Sequence, residues 1–172
     1  MKIENRILRN NSWLEKNPKV LRGIKRGIER EALRTTQNGI LSNKKHPKQF
    51  GSPLTNKYIT TDFAESLLEI VTPAVQNTKT LVRILKDIHI YIVKRLQKES
   101  LWPVSMPCFI KKNSIKIAEY GKSNIGIVKN LYRKGLKNRY GSFMQVISGI
   151  HYNFSFSREF WESYAVVKKK KK

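Results

Sequence analysis

Apolar side chains in the middle of the chain recur at spacings of three and four residues, the period of a helix. The stripe consists of Leu81, Ile84, Leu85, Ile88, Ile92 and Leu96. Asn77 or Thr78 can cap the start of this helix, because both side chains accept hydrogen bonds from free backbone N–H groups. Ser100 together with Pro103 is expected to end it.

A four-residue repeat further along the chain predicts a second helix. The repeat consists of Val128, Tyr132 and Leu136. Residues four apart share one face of a helix, so the three side chains should form a stripe. Ser123 or Asn124 can cap this helix and Gly141 can end it. Spacing alone favours core packing as the role of the stripe.

Residues 149–157 alternate with a period of two, which is typical of a half-buried strand. One face would carry Ile150, Tyr152, Phe154 and Phe156, and the other His151, Asn153 and Ser155. The apolar face is expected to pack and the other to border a polar space. A lone histidine is more often structural, but a place on this polar face favours a binding role for His151.

Residues 58–72 are rich in β-branched and apolar side chains and are followed by a proline, which predicts extended structure. Asp62 and Glu69 have opposite parity in this stretch. An unbroken strand would direct them to opposite faces, so a shared site needs a turn or bulge near residues 64–66. The alternative is a helix that pairs Glu65 with Glu69 one turn apart.

Four carboxylates stand among small and apolar neighbours, although the chain has only 12 acidic residues against 35 basic ones. They are Glu29, Glu31, Asp62 and Glu69. A strand over residues 27–34 would put the first two on one face. Converging carboxylates repel one another and raise a pKa, whereas bound Mg²⁺ keeps them ionised. Because Mg²⁺ usually takes one or two carboxylates plus substrate phosphates, a cluster of four suggests a nucleotide held through more than one ion.

The alternative for these carboxylates is ion pairing with nearby arginines. Arg26, Arg30 and Arg34 lie within the same stretch. Alternating charge of this kind is common in ordinary solvated elements. Spacing alone does not decide between a metal site and local ion pairs.

The overall composition predicts one folded domain. The chain has 172 residues, 40% of them apolar, and a formal net charge of +23. The lysines are scattered, and only Lys168 to Lys172 form a block, a tail beyond the domain. Cys108 is the single cysteine, which excludes an internal disulfide and favours core packing. No apolar run approaches the roughly 20 residues of a membrane helix, so a cytoplasmic protein is expected.

Five segments together carry a family resemblance. They are RGIEREALR, YITTDFAESLLEIVTP, LWPVSMPC, YRKGLKNRYG and ISGIHYNFS. In this order they closely resemble the amino-terminal part of bacterial glutamate-cysteine ligase, from about Trp13 to Ser155. The resemblance favours the metal interpretation of the carboxylates over local ion pairs. The chain contains no glycine-rich phosphate-binding motif, which agrees with a family that holds ATP through metal ions.

The resemblance implies an α+β fold similar to the glutamine synthetase catalytic domain, in which an antiparallel sheet curves and helices cover its outer side. It implies ATP-dependent joining of the L-glutamate side-chain carboxylate to L-cysteine, the first step of glutathione synthesis, through an acyl phosphate. ATP, L-glutamate and L-cysteine are the expected partners. Mg²⁺, as more than one ion, is the expected cofactor.

The resemblance also implies roles for individual residues. Glu29, Glu31, Asp62 and Glu69 resemble metal ligands, His151 and Asn153 resemble partners of the metal-nucleotide group, and Phe63, Tyr132 and Leu136 resemble the wall that receives cysteine. No residue of the chain is expected to act as a nucleophile. The sequence departs from the family pattern between Tyr120 and Lys129, where Lys122, Ile125 and Ile127 replace the expected residues.

Because family members are several-fold longer, residues 1–172 are expected to form a truncated catalytic domain that depends on the remaining part of the polypeptide. A rival hypothesis is a small basic nucleic-acid-binding protein that stacks bases on the aromatic strand at Tyr152 to Phe156. Scattered rather than clustered charge speaks against nucleic acid as a partner. A degenerate remnant without catalysis is the third hypothesis.

Overall fold

The computed structural model describes residues 12–111 and 113–169. Of the predicted lysine tail, residues 170–172 lie outside the described residues, and residues 168–169 belong to the last helix. The helices are α1 (Ser12–Lys16), α2 (Thr78–Arg95), α3 (Asn124–Tyr140) and α4 (Arg158–Lys169). Short 3-10 turns span Pro18–Leu21, Lys48–Phe50 and Met144–Val146. The last helix was not predicted from the sequence.

Five strands form one antiparallel sheet around a long central strand. They are β1 (Lys25–Thr36), β2 (Ile59–Thr61), β3 (Leu67–Val71), β4 (Glu99–Leu101) and β5 (Ile150–Ser155). The order is β2-β3-β1-β4, and β5 also pairs with β1. Glu29 and Arg30 have partners in both β3 and β5, so those two strands lie at opposite edges of β1. The antiparallel sheet with flanking helices confirms the predicted α+β class.

The first predicted helix exists, but it is shorter than expected. The Asn77 side chain accepts a hydrogen bond from the Thr80 N–H at 3.0 Å and so caps α2. The helix ends at Arg95 rather than near Ser100. Residues Glu99–Leu101 instead pair with β1, because a positive φ of 55° at Lys98 turns the chain back into the sheet.

The stretch from 58 to 72 is a hairpin, as the parity argument required. Strands β2 and β3 pair antiparallel with Thr60 opposite Glu69. The chain reverses between them, where the Leu67 N–H donates to the Ala64 carbonyl at 2.9 Å. The helical alternative that paired Glu65 with Glu69 is therefore wrong, because Glu69 lies in a strand.

Two buried clusters hold the sheet to the elements around it. On one face, Leu68 and Ile70 pack with Ile92 of α2, and the apolar stripe of that helix supplies the contacts. The second cluster contains Leu33, Leu41, Phe63, Ala64, Leu67, Cys108 and Val146. Cys108 is buried there, as predicted. Glu69 alternates with Leu68 and Ile70 along β3, so its side chain lies on the face away from α2.

Two apolar stripes that were expected to pack are exposed in the described part of the chain. Ile150 and Phe154 of β5 are 67% and 59% exposed, and Val128 and Tyr132 of α3 are 66% and 64% exposed. The predicted elements and their capping are confirmed, since Ser123 caps α3 and Gly141 follows its end. The packing interpretation is therefore wrong for these four residues. It holds for Leu136, which packs against the second cluster, and for Phe156, whose ring stacks on that of Phe160 at 3.9 Å.

Candidate active site

The four predicted carboxylates lie on one face of the sheet. Glu31 stands directly opposite Glu69 in the register of β1 and β3. Glu29 lies two residues earlier on β1 and therefore on the same face. Asp62 follows the end of β2, and its N–H donates to the Leu67 carbonyl at 3.1 Å, which continues the hairpin pairing. Because Thr60 lies opposite Glu69 and Asp62 is two residues further on, Asp62 and Glu69 share one face. Hairpin pairing thus resolves the difference in parity.

The electrostatics of this carboxylate face, defined as Glu29, Glu31, Asp62 and Glu69, are those of a cluster short of positive charge. Burial, reinforced by the charges of Asp62, Glu29 and Glu31, raises the pKa of Glu69 from its ordinary 4.5 to about 7. Burial also raises the pKa of Glu31, although the Gly149 N–H acts in the opposite direction. Within the described chain, Glu69 has no hydrogen-bond donor of its own.

Strand β5 supplies polar partners to the other end of the carboxylate face. The Asn153 amide donates to Glu29 Oε1 at 2.8 Å, and His151 Nδ1 lies 3.2 Å from Glu29 Oε2. This contact with Glu29 is the main cause that raises the pKa of His151. The Gly149 N–H donates to Glu31 Oε2 at 2.7 Å. His151 and Asn153 lie on the predicted polar face of β5, and Gly149 directly precedes the strand.

The nearby arginines do not neutralise the carboxylate face. Arg26 donates to the backbone carbonyls of Ile24 and Gln76, and Arg30 contacts His89 on the α2 side of the sheet. Arg34 is fully buried and forms a 2.8 Å ion pair with Glu99. The ion-pairing alternative for these three residues is therefore wrong.

The carboxylate face matches the oxygen chemistry of Mg²⁺, but its side chains are not gathered around one point. Among residues 12–111 and 113–169, no three His, Cys, Asp or Glu side chains stand close enough to hold a single ion as placed. Glu29 and Glu31 instead accept hydrogen bonds from protein donors. The donor set and the raised pKa of Glu69 fit a cation, which would stabilise carboxylates that otherwise repel one another.

Comparison with known proteins identifies the family. A glutamate-cysteine ligase family model matches residues 11–172. The chain belongs to the glutamate-cysteine ligase family. It is 56% identical over 158 residues to the ligase of Sodalis glossinidius, covering 91% of this chain and 30% of that protein. It is 54% identical over 162 residues to the ligase of Photorhabdus laumondii, covering 94% of this chain and 31% of that protein.

Solved structures agree with the family assignment and with the glutamine synthetase-like fold. The glutamate-cysteine ligase of Francisella tularensis in complex with AMP superposes with a TM-score of 0.82 at 41% identity, over 85% of this chain and 30% of that one. A bifunctional glutathione synthetase from Pasteurella multocida superposes with a TM-score of 0.78 at 30% identity, over 92% of this chain and 20% of that one. The chain thus spans about a third or less of these relatives' length.

A small cavity adjoins the carboxylate face at the start of β1. Its volume is about 200 Å³, and its lining includes Lys25, Glu29, Asn153 and Ser155. The cavity therefore brings a predicted metal ligand, a predicted nucleotide partner and a cation to one place.

No helix in the described residues is both long and apolar enough to cross a bilayer.

The three residues predicted to receive cysteine occupy different environments. Phe63 is 1% exposed and belongs to the buried cluster, and Leu136 packs against that cluster from α3. Tyr132, one turn before Leu136, is exposed. In the described chain the Tyr132 ring faces solvent, whereas the Phe63 ring packs inside the buried cluster. The assignment of the three as a cysteine-binding wall stays a prediction.

Sequence reasoning missed two residues that contact Asp62. Arg133 of α3 donates from Nε to the Asp62 carbonyl at 2.5 Å, and the Tyr120 hydroxyl donates to the same carbonyl at 3.2 Å. The signal lies in the helix spacing. Gly126, Asn130 and Arg133 fall at i, i+4 and i+7, which makes them one face of α3. The apolar repeat that predicted this helix lies on a different face.

Proposed function

We propose that this chain provides the metal-binding and part of the amino-acid-binding surface of a glutamate-cysteine ligase that joins L-glutamate to L-cysteine with ATP. The carboxylate face carries the proposal. Four carboxylates share one sheet face, where burial and their mutual repulsion raise the pKa of Glu69 to about 7. Membership of the family and the likeness to a ligase solved with AMP support ATP as a substrate.

In the proposed reaction the glutamate side-chain carboxylate attacks the terminal phosphate of ATP, and ADP leaves. The cysteine amine then attacks the resulting acyl phosphate, which releases phosphate and forms the amide. Bound Mg²⁺ ions would neutralise the phosphate charge and align this transfer. The chain therefore needs residues that hold cations and orient substrates rather than a nucleophile of its own.

Within this chain, Glu29, Glu31, Asp62 and Glu69 would hold the ions. His151 and Asn153 orient the Glu29 carboxylate through hydrogen bonds of 3.2 and 2.8 Å, which fixes the direction of its lone pairs before an ion binds. The exposed ring of Tyr132 would pack against the small thiol side chain of cysteine, since thiol and aromatic groups contact favourably.

A chimeric enzyme tests this proposal directly. In the chimera, this chain replaces the matching segment of the Sodalis glossinidius ligase, to which it is 56% identical. We expect the chimera to release phosphate from ATP only when glutamate, cysteine and Mg²⁺ are all present, with gamma-glutamylcysteine as product. A folded chimera that released no phosphate above the background of its Glu29→Gln, Glu31→Gln double variant would contradict the proposal.

The raised pKa of Glu69 predicts how stability changes with pH. The folded protein keeps the Glu69 proton up to about pH 7, whereas the unfolded chain loses it near 4.5. The stabilising contribution of this proton is therefore complete below 4.5 and is lost as the pH rises through 7. The unfolding temperature of the metal-free chain should therefore fall between pH 4.5 and 7. Glu69→Gln should remove this pH dependence.

Glu119→Gln is the matched control, because the Glu119 side chain is exposed and forms an exposed ion pair with Lys45 at 3.2 Å. It should leave the pH dependence between 4.5 and 7 unchanged. Added Mg²⁺ should raise the unfolding temperature most at the upper end of this range, where Glu69 is ionised. Equal pH dependence in Glu69→Gln and the unchanged chain would contradict the shifted pKa.

Tyr132→Ala should raise the KM for cysteine in the chimera by about tenfold, equivalent to about 1.4 kcal/mol of binding. The KM for ATP should change little, since the proposed contact of the ring is with cysteine and not with the nucleotide. Folding should survive, because the ring is 64% exposed. Tyr140→Ala, on the same helix and 57% exposed, is the control. Equal losses for cysteine and ATP would remove Tyr132 from the cysteine site.

A further inference from the structure

Arg133 is a buried cation in a chain whose other basic residues are mostly on the surface. Its side chain is about 10% exposed. The guanidinium lies over the Tyr120 ring at 4.5 Å, and Nη1 donates to the Lys129 carbonyl at 3.1 Å. Burial of a charge is costly unless it is hydrogen-bonded, and these contacts meet that cost. The remaining contacts of Arg133 are with Asp62.

Arg133 contacts Asp62 twice, and the two contacts differ in strength. Nε donates to the Asp62 backbone carbonyl at 2.5 Å, which is a close hydrogen bond. Nη2 stands 3.7 Å from the carboxylate oxygen Oδ1, beyond hydrogen-bond distance. The guanidinium thus fixes the backbone and attracts the carboxylate but does not occupy its lone pairs. Asp62 is held in place with its acceptor capacity available.

The loop that carries Tyr120 completes this arrangement. The Tyr120 hydroxyl contacts the carbonyls of Thr61 and Asp62, and the Tyr120 N–H donates to Asn130 Oδ1 at 2.9 Å. Gly126 makes the approach possible, because a Cβ there would lie 2.4 Å from the Tyr120 carbonyl oxygen. One face of α3 therefore clamps the turn that presents Asp62.

The geometry points to Arg133 as a positioning residue that orients Asp62 for cation binding and ties it to the helix that carries Tyr132. This inference rests on the proposed function of the carboxylate face. Its distinguishing feature is the sign of the effect. By Coulomb attraction and repulsion alone, removing a nearby positive charge should tighten cation binding. If Arg133 instead positions Asp62, its removal should weaken cation binding.

The test measures Mn²⁺ binding by electron paramagnetic resonance in the chimera that carries this chain, with folding checked by circular dichroism. We expect Arg133→Met to weaken Mn²⁺ binding by about tenfold or more, the usual loss when a residue that orients a ligand is removed. Arg139→Met is the matched control, since it removes the same charge from an exposed place on the same helix. Its affinity should equal or slightly exceed that of the unchanged chain.

A double-variant cycle shows whether Arg133 acts through Asp62. In the Asp62→Asn background, Arg133→Met should cause no further loss. If Arg133→Met does not fold, Arg133→Lys decides, because lysine keeps the charge but lacks the planar guanidinium whose Nε donates to the Asp62 carbonyl. It should weaken binding severalfold.

The two proposals fail in different ways. Mn²⁺ binding that is sensitive to Asp62→Asn, but as tight in the Arg133 variants as in Arg139→Met, would overturn only the positioning role. Additive losses in the double variant would also overturn it. Mn²⁺ binding that is absent, or insensitive to both Asp62→Asn and Glu69→Gln, would overturn the metal site and with it this inference.

Discussion

Glu29→Gln should lower the rate of the chimera by at least about 100-fold, equivalent to about 2.7 kcal/mol of transition-state stabilisation. The substitution removes one metal-directed charge and leaves the shape of the side chain. Glutamine retains a carbonyl oxygen for the Asn153 amide, which now donates to Glu29 Oε1 at 2.8 Å. The fold should therefore be preserved. Phosphate release measured against Mg²⁺ concentration should show a higher Mg²⁺ requirement as well as a lower maximum.

Glu119→Gln is again the control, because it removes an equal charge from an exposed site that pairs with Lys45. It should change the rate less than about twofold, in keeping with the small energies of exposed ion pairs. Ordinary activity of Glu29→Gln at limiting Mg²⁺ would show that Glu29 is not a metal ligand. A loss that extra Mg²⁺ fully restores would place Glu29 at a weakly bound ion.

Much of the carboxylate face was predictable from the sequence because the strand period is two. Glu29 and Glu31 were placed on one face by parity alone, and the register of β1 confirms it. The opposite parity of Asp62 and Glu69 required a turn between them, and the hairpin supplies it. In both cases a local rule fixes where the side chain is directed, whatever the rest of the chain does.

Long-range partners could not be read in this way. Arg133 and Asp62 are 71 positions apart, and no local pattern pairs them. Strand β4 has only three residues, too few for a visible alternation. Its Glu99 forms the ion pair with Arg34, so a segment that local signals assigned to a helix end in fact anchors the sheet. These features depend on tertiary contacts, which override local propensity.

Exposure explains the error over the two apolar stripes. A helical or alternating pattern predicts an apolar face, but it does not say what covers that face. On β5, all six residues are exposed, including Ile150, Tyr152 and Phe154. On α3, the buried face carries Gly126 and Arg133, while Val128 and Tyr132 of the apolar repeat are exposed. Contiguous exposed apolar surface of this kind marks an interaction site.

The 172-residue chain on its own should be at least about 100-fold slower than the chimera in ATP-, glutamate- and cysteine-dependent phosphate release. Two structural observations motivate this expectation. The apolar face of β5 lacks a covering layer in the described chain, and no three carboxylates there stand close enough to share an ion. In the chimera, the rest of the relative can cover the first and add ligands to the second.

Light scattering should accompany the assay, because an exposed strand with an apolar face favours self-association. Phe154→Thr should reduce association of the chain alone, since that side chain is 59% exposed there. In the chimera, where we expect the same face to be covered, Phe154→Thr should lower the unfolding temperature instead. Phe143→Thr is the control, because it removes a ring of similar exposure, 56%, from outside β5, and it should affect neither association nor the comparison between the two proteins. A monomeric chain that turned over at a rate near that of the chimera would show that the surface of β5 and the carboxylate face are already complete without a covering layer.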